Sequence, residues 1–156
     1  MARRRNGSTV EDDLDVYKTD ATTTRSAKVL LAEDDTEMRK LLAWGLQKDG
    51  YEVVEAENGL ELLEYLEPSL FYPPTSGRIP EYDIIISDIR MPGLSGLEVL
   101  AGVRKRDKAT PVILITAFGD ETTHKEAKEL GASAVIDKPF DIDALREIIR
   151  AIIPPR

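Results

Sequence analysis

Short apolar runs alternate along the chain with longer stretches in which apolar residues recur at helical spacing. The runs of strand length lie at 29–32, 51–54, 84–86, 112–115 and 133–136. In the stretch after the first run, the residues on one helix face are Met38, Leu41, Leu42, Gly45 and Leu46. The pattern therefore predicts five strand–helix units.

Residues that begin or end helices stand at the edges of the helical stretches. Ser95 and Glu98 have the spacing of a capping box, in which each side chain bonds the other residue's backbone N–H. Asp120 and Asp141 occupy N-cap positions before the last two helices. Gly50 suits the left-handed position that follows a helix.

The apolar runs are continuous, which is typical of parallel strands that are buried on both faces. Strands that alternate with helices through right-handed crossovers predict an α/β, doubly wound parallel sheet over residues 28–153. Residues 1–27 carry equal numbers of acidic and basic groups and few large apolar residues, so we predict a disordered tail, with a partner-docking arm as the alternative. Residues 154–156 form the C-terminal end.

The link at 67–82 is unusually long and holds four of the nine prolines. Proline disfavours both helix and central strand, so we predict an irregular insertion at the N-terminal edge of the sheet. Phe71 and Tyr72 keep a partner site open as the alternative.

Composition excludes several kinds of function. The longest apolar runs are about four residues, whereas a membrane span needs about 20. Without cysteine and with one histidine, His124, thiol, zinc and iron–sulfur chemistry are excluded or disfavoured. We predict that His124 is a solvated surface residue. The net charge of −8 disfavours direct binding to nucleic acid, and we assign the basic run 104–106 to the C-terminus of a helix.

Polar residues follow the predicted strands at the edge of the sheet where α/β sites form. Glu33 and Asp34 follow the first strand, Asp88 the third, Thr116 the fourth and Lys138 the fifth. Because the first and third strands are neighbours in such sheets, the three carboxylates are predicted to converge.

Converging carboxylates repel one another unless a cation joins them, and oxygen ligands without His or Cys favour Mg²⁺. A lysine and a threonine across the same cleft could bind phosphoryl oxygens, and a central carboxylate could act as the nucleophile. These residues predict a Mg²⁺-assisted phosphoryl acceptor on Asp88. We interpret Asp35 as a helix cap or a solvated residue.

At this point the chain resembles the receiver domain of two-component response regulators. The matching stretches are VLLAEDDTEMRKLL, SDIRMPGLSGLEVL, PVILITAFGD and GASAVIDKPF. The resemblance covers about 28–153 and is closest to receivers of the nitrogen-regulation class. It implies a flavodoxin-like (βα)5 fold with strand order 2-1-3-4-5. It also implies a stand-alone receiver, unless the chain is a fragment of a longer protein.

The resemblance assigns roles at the acidic cluster. Glu33 and Asp34 look like the acidic pair that holds Mg²⁺ together with Asp88. Asp88 looks like the phosphoacceptor, and Arg90 would give the metal its backbone carbonyl.

Further roles follow from the resemblance at the fourth and fifth strands. Thr116 looks like the switch hydroxyl, Ala117 like the small residue that leaves room for the phosphate, and Lys138 like the lysine that pairs with it. The bond between Lys138 and Pro139 would be cis. Val135 stands where the family often has an aromatic residue that swings inward on activation.

The resemblance implies a cytoplasmic protein that takes a phosphoryl group from a sensor histidine kinase or a phosphotransfer protein. It would signal through its fourth helix, fifth strand and fifth helix to an unidentified downstream protein, as a monomer or a phosphorylation-dependent dimer, without binding nucleic acid or membrane. It would catalyse only its own phosphorylation and slow dephosphorylation.

Three alternatives are weaker. A non-phosphorylated pseudo-receiver usually lacks an acceptor or metal carboxylate, and none is missing here. A Mg²⁺-dependent aspartyl-phosphate phosphatase needs a second Asp two positions after the first, where this chain has Arg90. A flavin-binding flavodoxin needs a phosphate loop rich in Ser, Thr and Gly after the first strand, where this chain is acidic.

Overall fold

The computed structural model describes residues 25–71 and 81–156, and within them each predicted strand–helix unit is present. The strands are β1 (Lys28–Ala32), β2 (Glu52–Ala56), β3 (Ile84–Asp88), β4 (Val112–Thr116) and β5 (Ala134–Asp137). The helices are α1 (Thr36–Lys48), α2 (Gly59–Phe71), α3 (Gly96–Arg104), α4 (Glu121–Glu129) and α5 (Ile142–Ile152). The strand bounds differ from the apolar runs by at most two residues.

The strands form one parallel sheet in the order β2-β1-β3-β4-β5, which confirms the predicted flavodoxin-like fold. Leu31 of β1 stands beside Ile86 of β3, and Ile86 stands beside Ile113 of β4. In this register, the carboxyl ends of β1, β3 and β4 lie next to one another at one edge of the sheet.

The core has two layers, one on each face of the sheet. Leu30 and Leu114 face a cluster that includes Leu62 of α2 and Leu100 of α3. On the opposite face, the cluster consists of buried residues from the strands, α1 and α5, including Leu31, Leu46, Ile113, Leu145 and Ile149. Successive strand residues point to opposite faces, so both clusters draw on the same apolar runs.

Each predicted N-cap holds its helix. The side chain of Asp35 accepts a hydrogen bond from the backbone of α1, and Asp120 and Asp141 do the same for α4 and α5. Both hydrogen bonds of the Ser95–Glu98 capping box are present at the start of α3. These caps fix where the helices begin, directly after the loops at the carboxyl edge of the sheet.

The C-terminal end of α1 is tied to α5. Gly50 has a φ of +98°, the left-handed conformation that the sequence predicts after this helix. Arg146 donates to both carboxylate oxygens of Asp49, and Arg150 pairs with the same carboxylate. The hydrogen bonds from Arg146 lower the pKa of Asp49.

The prediction of an irregular link beginning at residue 67 is wrong for its first part, because α2 continues through Pro68 to Phe71. Proline removes one backbone N–H and crowds the preceding turn. Here Leu62 and Leu66 are buried in the turns before it, and this packing holds the helix. The rest of the link, at 72–80, lies outside the described residues.

The predicted tail also falls almost wholly outside the described residues, which begin at residue 25. None of the helices within residues 25–71 and 81–156 combines the length and the apolar character that a membrane crossing requires.

The outer face of α1 carries exposed apolar side chains. Trp44 is 58% exposed and Leu41 is 47% exposed. The ammonium of Lys48 lies 4.8 Å from the centre of the Trp44 ring. Trp44 therefore packs beneath a lysine at the surface and contributes little to the core.

Candidate functional site

Three carboxylates converge at the carboxyl edge of the sheet, as predicted. Carboxylate oxygens of Glu33, Asp34 and Asp88 lie within 4.8 Å of one another. Glu33 follows β1 and is 2% exposed, Asp88 ends β3 and is 5% exposed, and Asp34 is exposed to solvent. Two buried acids and one exposed acid thus form the floor and rim of the site.

Lys138 places an ammonium group between the two buried acids. Its Nζ donates to Glu33 Oε1 at 2.7 Å and to Asp88 Oδ2 at 2.9 Å. The backbone N–H of Lys138 donates to the carbonyl of Thr116, and the Lys138–Pro139 bond is cis, as the resemblance implies. Lys138 follows β5, its backbone is bonded to the end of β4, and its side chain extends to the acids at the ends of β1 and β3.

The site holds more acidic groups than basic ones. The pKa of Glu33 is raised to about 8, mainly by burial, and the raising effect of the adjacent Asp88 carboxyl exceeds the lowering effect of Lys138. For Lys138, burial opposes the charged form, but the hydrogen bonds to Glu33 and Asp88 outweigh it and raise its pKa. Two buried acids therefore share one ammonium, and a third acid, Asp34, lies beside them.

The donor set fits a magnesium ion. Glu33 Oε2 is buried and receives no hydrogen bond from any residue that the structure describes. Buried polar atoms are nearly always partnered, so an orphaned carboxylate oxygen beside two further carboxylates marks a place for a cation. Oxygen ligands without His or Cys suit Mg²⁺. The residues that could hold it are Glu33, Asp34 and Asp88.

The predicted switch residues lie on the neighbouring strands. Thr116 ends β4 and is 2% exposed, and its hydroxyl accepts a hydrogen bond from the N–H of Phe118 at 3.1 Å. Ala117, the next residue, is exposed. Val135 is half-buried in β5, beside Leu114 of β4. Thr116 therefore ends its strand at the same edge of the sheet as Asp88, whereas Val135 lies within the adjoining strand.

Arg90 covers the rim. Its guanidinium lies 4.3 Å from the centre of the Phe118 ring, which is 63% exposed. A groove of about 420 Å³ opens beside it. The groove is lined by Asp34, Arg90, Met91, Pro92, Gly93, Ser95 and Glu98. Asp34 is thus reached from solvent along the loop that follows β3.

Gly96 supports the central acid from behind, a role that sequence reasoning missed. A Cβ at Gly96 would lie 2.5 Å from the carbonyl oxygen of Asp88. The N–H of Gly96 donates to the carbonyl of Ile89 at 2.8 Å. The capping box predicts the start of α3. The close approach of α3 to β3 has no sequence signal except the presence of glycine at position 96.

Arg39 is a second missed residue. It is 3% exposed on α1, and its Nη1 donates to the carbonyl of Glu33 at 2.9 Å. The arginine stands between Met38 and Lys40 in the sequence, and a charged side chain normally indicates a solvated face. Only its place beside the buried residues of α1 could have marked it.

His124 lies at the surface, as predicted, with its side chain 30% exposed, but the sequence did not predict its partner. It is half-buried on α4, and its Nε2 lies 2.9 Å from Asp137 Oδ1 at the end of β5. The two residues are 13 positions apart, on consecutive elements, and they meet because α4 packs beside β5. The basic run 104–106 does lie at the end of α3, where Arg104 donates to loop carbonyls.

The sequence of this chain is similar to those of known proteins. Residues 29–150 match the family model of the response regulator receiver domain. The chain is 32% identical over 127 residues to the sporulation initiation phosphotransferase F of Bacillus subtilis, covering 81% of this chain and 94% of that protein. It is 36% identical over 117 residues to the transcriptional regulatory protein ResD of the same organism, covering 75% of this chain and 44% of that protein. The chain spans about half the length of several such curated regulators.

Solved structures of response regulators have a similar fold. The chemotaxis response regulator CheY4 of Vibrio cholerae superposes with a TM-score of 0.69 at 30% identity, covering 83% of this chain and all of that one. The response regulator TrrA of Thermotoga maritima, solved in complex with Mg²⁺–BeF, gives a TM-score of 0.67 at 33% identity, covering 81% of this chain and 99% of that one. With the family match extending from β1 into α5, the chain belongs to the family of response regulator receiver domains.

Proposed function

We propose that this receiver domain accepts a phosphoryl group on the carboxylate of Asp88 and passes the resulting change of its surface to a partner protein. The observation that carries the proposal is the ammonium of Lys138, which bridges Glu33 and Asp88 beside an orphaned carboxylate oxygen. This arrangement holds a nucleophile, a cation for its charge and a place for a metal within one pocket.

In the proposed transfer, a carboxylate oxygen of Asp88 attacks the phosphorus of a phosphohistidine. The new P–O bond forms as the P–N bond breaks, and the leaving imidazole keeps the electron pair. Such transfers depend mainly on positioning and on neutralising charge. Lys138 would then donate to a phosphoryl oxygen, the Thr116 hydroxyl would donate to another, and Ala117 leaves room for the group.

Glu33, Asp34 and Asp88, with the backbone carbonyl of Arg90, would hold Mg²⁺. When bound, the ion supplies positive charge that neutralises the phosphoryl oxygens. The orphaned oxygen of Glu33 and the close approach of the three acids support this assignment.

The signal would follow from the new charge. The acyl phosphate would carry about −1.5 to −2 charges where the Asp88 carboxylate carried −1, and Thr116 would give up its bond from Phe118 to meet it. This biases an equilibrium between two conformations of the face formed by α4, β5 and α5. Val135 lies in that face, so its packing would change with the position of Thr116.

The donor would be a sensor histidine kinase or a phosphotransfer protein in the cytoplasm, and the receiver of the signal a further protein. The proposal covers two states of association, a monomer or a dimer that forms on phosphorylation. We assign no turnover of outside substrates, because Arg90 stands where an aspartyl-phosphate phosphatase carries its general acid.

The test is the intact mass after incubation with Mg²⁺ and acetyl phosphate, for the wild type, Asp88→Asn and Asp34→Ala. We expect one phosphoryl group on the wild type, none on Asp88→Asn, and weaker Mg²⁺ binding with slower labelling for Asp34→Ala. A labelled Asp88→Asn would overturn the acceptor assignment. A wild type that binds Mg²⁺ but takes no phosphoryl group would favour a pseudo-receiver.

A further inference from the structure

Arg39 is a buried cation that lies directly behind the acidic site. Its side chain is 4% exposed, although arginine is seldom buried unless it is paired. Its Nε donates to Glu55 Oε1 at 3.2 Å, and its Nη2 lies 3.6 Å from Glu57. The remaining nitrogen, Nη1, donates to the backbone carbonyl of Glu33 at 2.9 Å. The guanidinium thus joins the end of β2 to the loop that follows β1.

The backbone of Glu33 is held from both sides. Its N–H donates to the carbonyl of Ala56 at 3.1 Å, and its carbonyl accepts from Arg39. With both peptide groups tied, the Cα of Glu33 has little freedom. The direction of its buried carboxylate toward Asp88 and Lys138 follows from that restraint.

We propose that Arg39 is a positioning residue of the phosphoryl-transfer site, which fixes the Glu33 carboxylate for metal binding by anchoring the Glu33 carbonyl. The inference rests on the proposed function. It adds to the residues that would touch the metal one residue, Arg39, that acts on the metal site through the backbone of Glu33. Groups that hold metal ligands in place commonly change metal affinity by 10- to 100-fold when they are lost.

The adjacent Lys40 provides a matched control. Its ammonium pairs with Glu55 Oε2 at 3.2 Å, so it shares a partner with Arg39. Lys40 is exposed, however, and its contact lies on the outer side of Glu55. Loss of Lys40 therefore removes a cation and an ion pair near β2 without removing the hydrogen bond to Glu33.

The experiment compares Arg39→Lys with Lys40→Met by calorimetric titration with Mg²⁺ and by thermal unfolding. Arg39→Lys keeps the charge, but a single ammonium cannot span Glu55 and the Glu33 carbonyl as the planar guanidinium does. We expect about tenfold weaker Mg²⁺ binding for Arg39→Lys and unchanged binding for Lys40→Met. Labelling of Arg39→Lys by acetyl phosphate should be slow at low Mg²⁺ and return to the wild-type rate at saturating Mg²⁺.

A merely structural role predicts a different result. Arg39→Lys would then melt at a lower temperature but bind Mg²⁺ as the wild type does, and this outcome overturns the proposal. If Arg39→Lys does not fold, Glu55→Gln replaces it, because loss of the Glu55 charge loosens the guanidinium and so weakens its hold on the Glu33 carbonyl. Mg²⁺ affinity that is unchanged in Glu55→Gln then overturns the proposal, and weaker affinity supports it.

The two proposals fail in different ways. A wild type that binds Mg²⁺ but is not labelled contradicts phosphoryl acceptance, whereas the Mg²⁺ affinities of the variants still decide the role of Arg39. A wild type that binds no Mg²⁺ contradicts both.

Discussion

Replacing Glu33 by Gln should stabilise the metal-free protein while removing a ligand of the metal. At an effective dielectric constant of about 20, two unit charges 4.8 Å apart repel by about 3.5 kcal/mol. Glu33 faces Asp34 and Asp88 at that distance or less, and it shares the single ammonium of Lys138 with Asp88. The acid is thus held in the fold against its electrostatic preference.

The expected gain in the free energy of unfolding comes from one oxygen atom of Glu33. Glu33 Oε2 is buried without a hydrogen bond from the described residues, and an unsatisfied buried group costs about 1–3 kcal/mol. Glutamine has the same length, keeps an oxygen for Lys138 and places an NH₂ donor toward the neighbouring acids. We therefore expect a gain of about 1–3 kcal/mol near pH 8 and above, where Glu33 ionises, at roughly 2–4 °C in Tm for each kcal/mol in a chain of this size.

The gain should depend on pH with a defined sign. The pKa of Glu33 is about 8 in the fold and 4.5 ordinarily, so folding takes up a proton between these values. Wild-type stability from this group is complete below its ordinary pKa and is lost as the pH rises through about 8. Because glutamine does not titrate, the advantage of Glu33→Gln should grow between these two pKa values.

Thermal unfolding in a chelating buffer across this pH range measures the effect, and repeating it with Mg²⁺ provides the control. The wild type should gain stability as Mg²⁺ binds to the folded state alone, and Glu33→Gln should gain much less. The reasoning is refuted if Glu33→Gln melts at or below the wild-type temperature without metal at pH 8. Equal stabilisation of both proteins by Mg²⁺ would remove Glu33 from the metal site.

Three further predictions concern residues around the site and at the end of α1. Gly96→Ala should lower Tm and slow phosphoryl uptake, because its Cβ would push against the Asp88 carbonyl; labelling and melting curves that match the wild type would contradict this. Lys138→Ala should still be labelled on Asp88 but give a smaller change in NMR amide shifts on phosphorylation, and a full change would make the lysine dispensable. Arg146→Ala should lower Tm at neutral pH. The loss should shrink as the pH falls below 3.8, the ordinary pKa of Asp49, toward the lowered pKa that Asp49 has in the fold, and melting curves at pH 7 and pH 3 test this.

The fold was predictable because local and long-range preferences agree. The apolar runs mark strands that are buried on both faces, and the caps at Asp35, Ser95, Asp120 and Asp141 mark where helices begin. At Pro68 local preference and packing disagree, and burial of neighbouring leucines decides in favour of helix.

The acids of the site were predictable because strand ends meet at one edge of a parallel sheet. Their support was not, since it depends on where side chains turn after the chain has folded. Arg39 reaches back to the backbone of Glu33, and Gly96 touches the carbonyl of Asp88. His124 meets Asp137 only because α4 packs beside β5. Neither spacing nor composition carries this information.

The position of Trp44 decides what intrinsic fluorescence can report. It is the single tryptophan of the chain, and it stands nine residues beyond Asp35, roughly 13 Å along α1 at 1.5 Å per residue. Its emission should therefore change little when the distant acids bind an ion or a phosphoryl group. Because the ring is 58% exposed, its emission should instead shift when another molecule covers α1. The protein thus carries a built-in optical probe of contact at α1 that is nearly blind to the chemistry at Asp88.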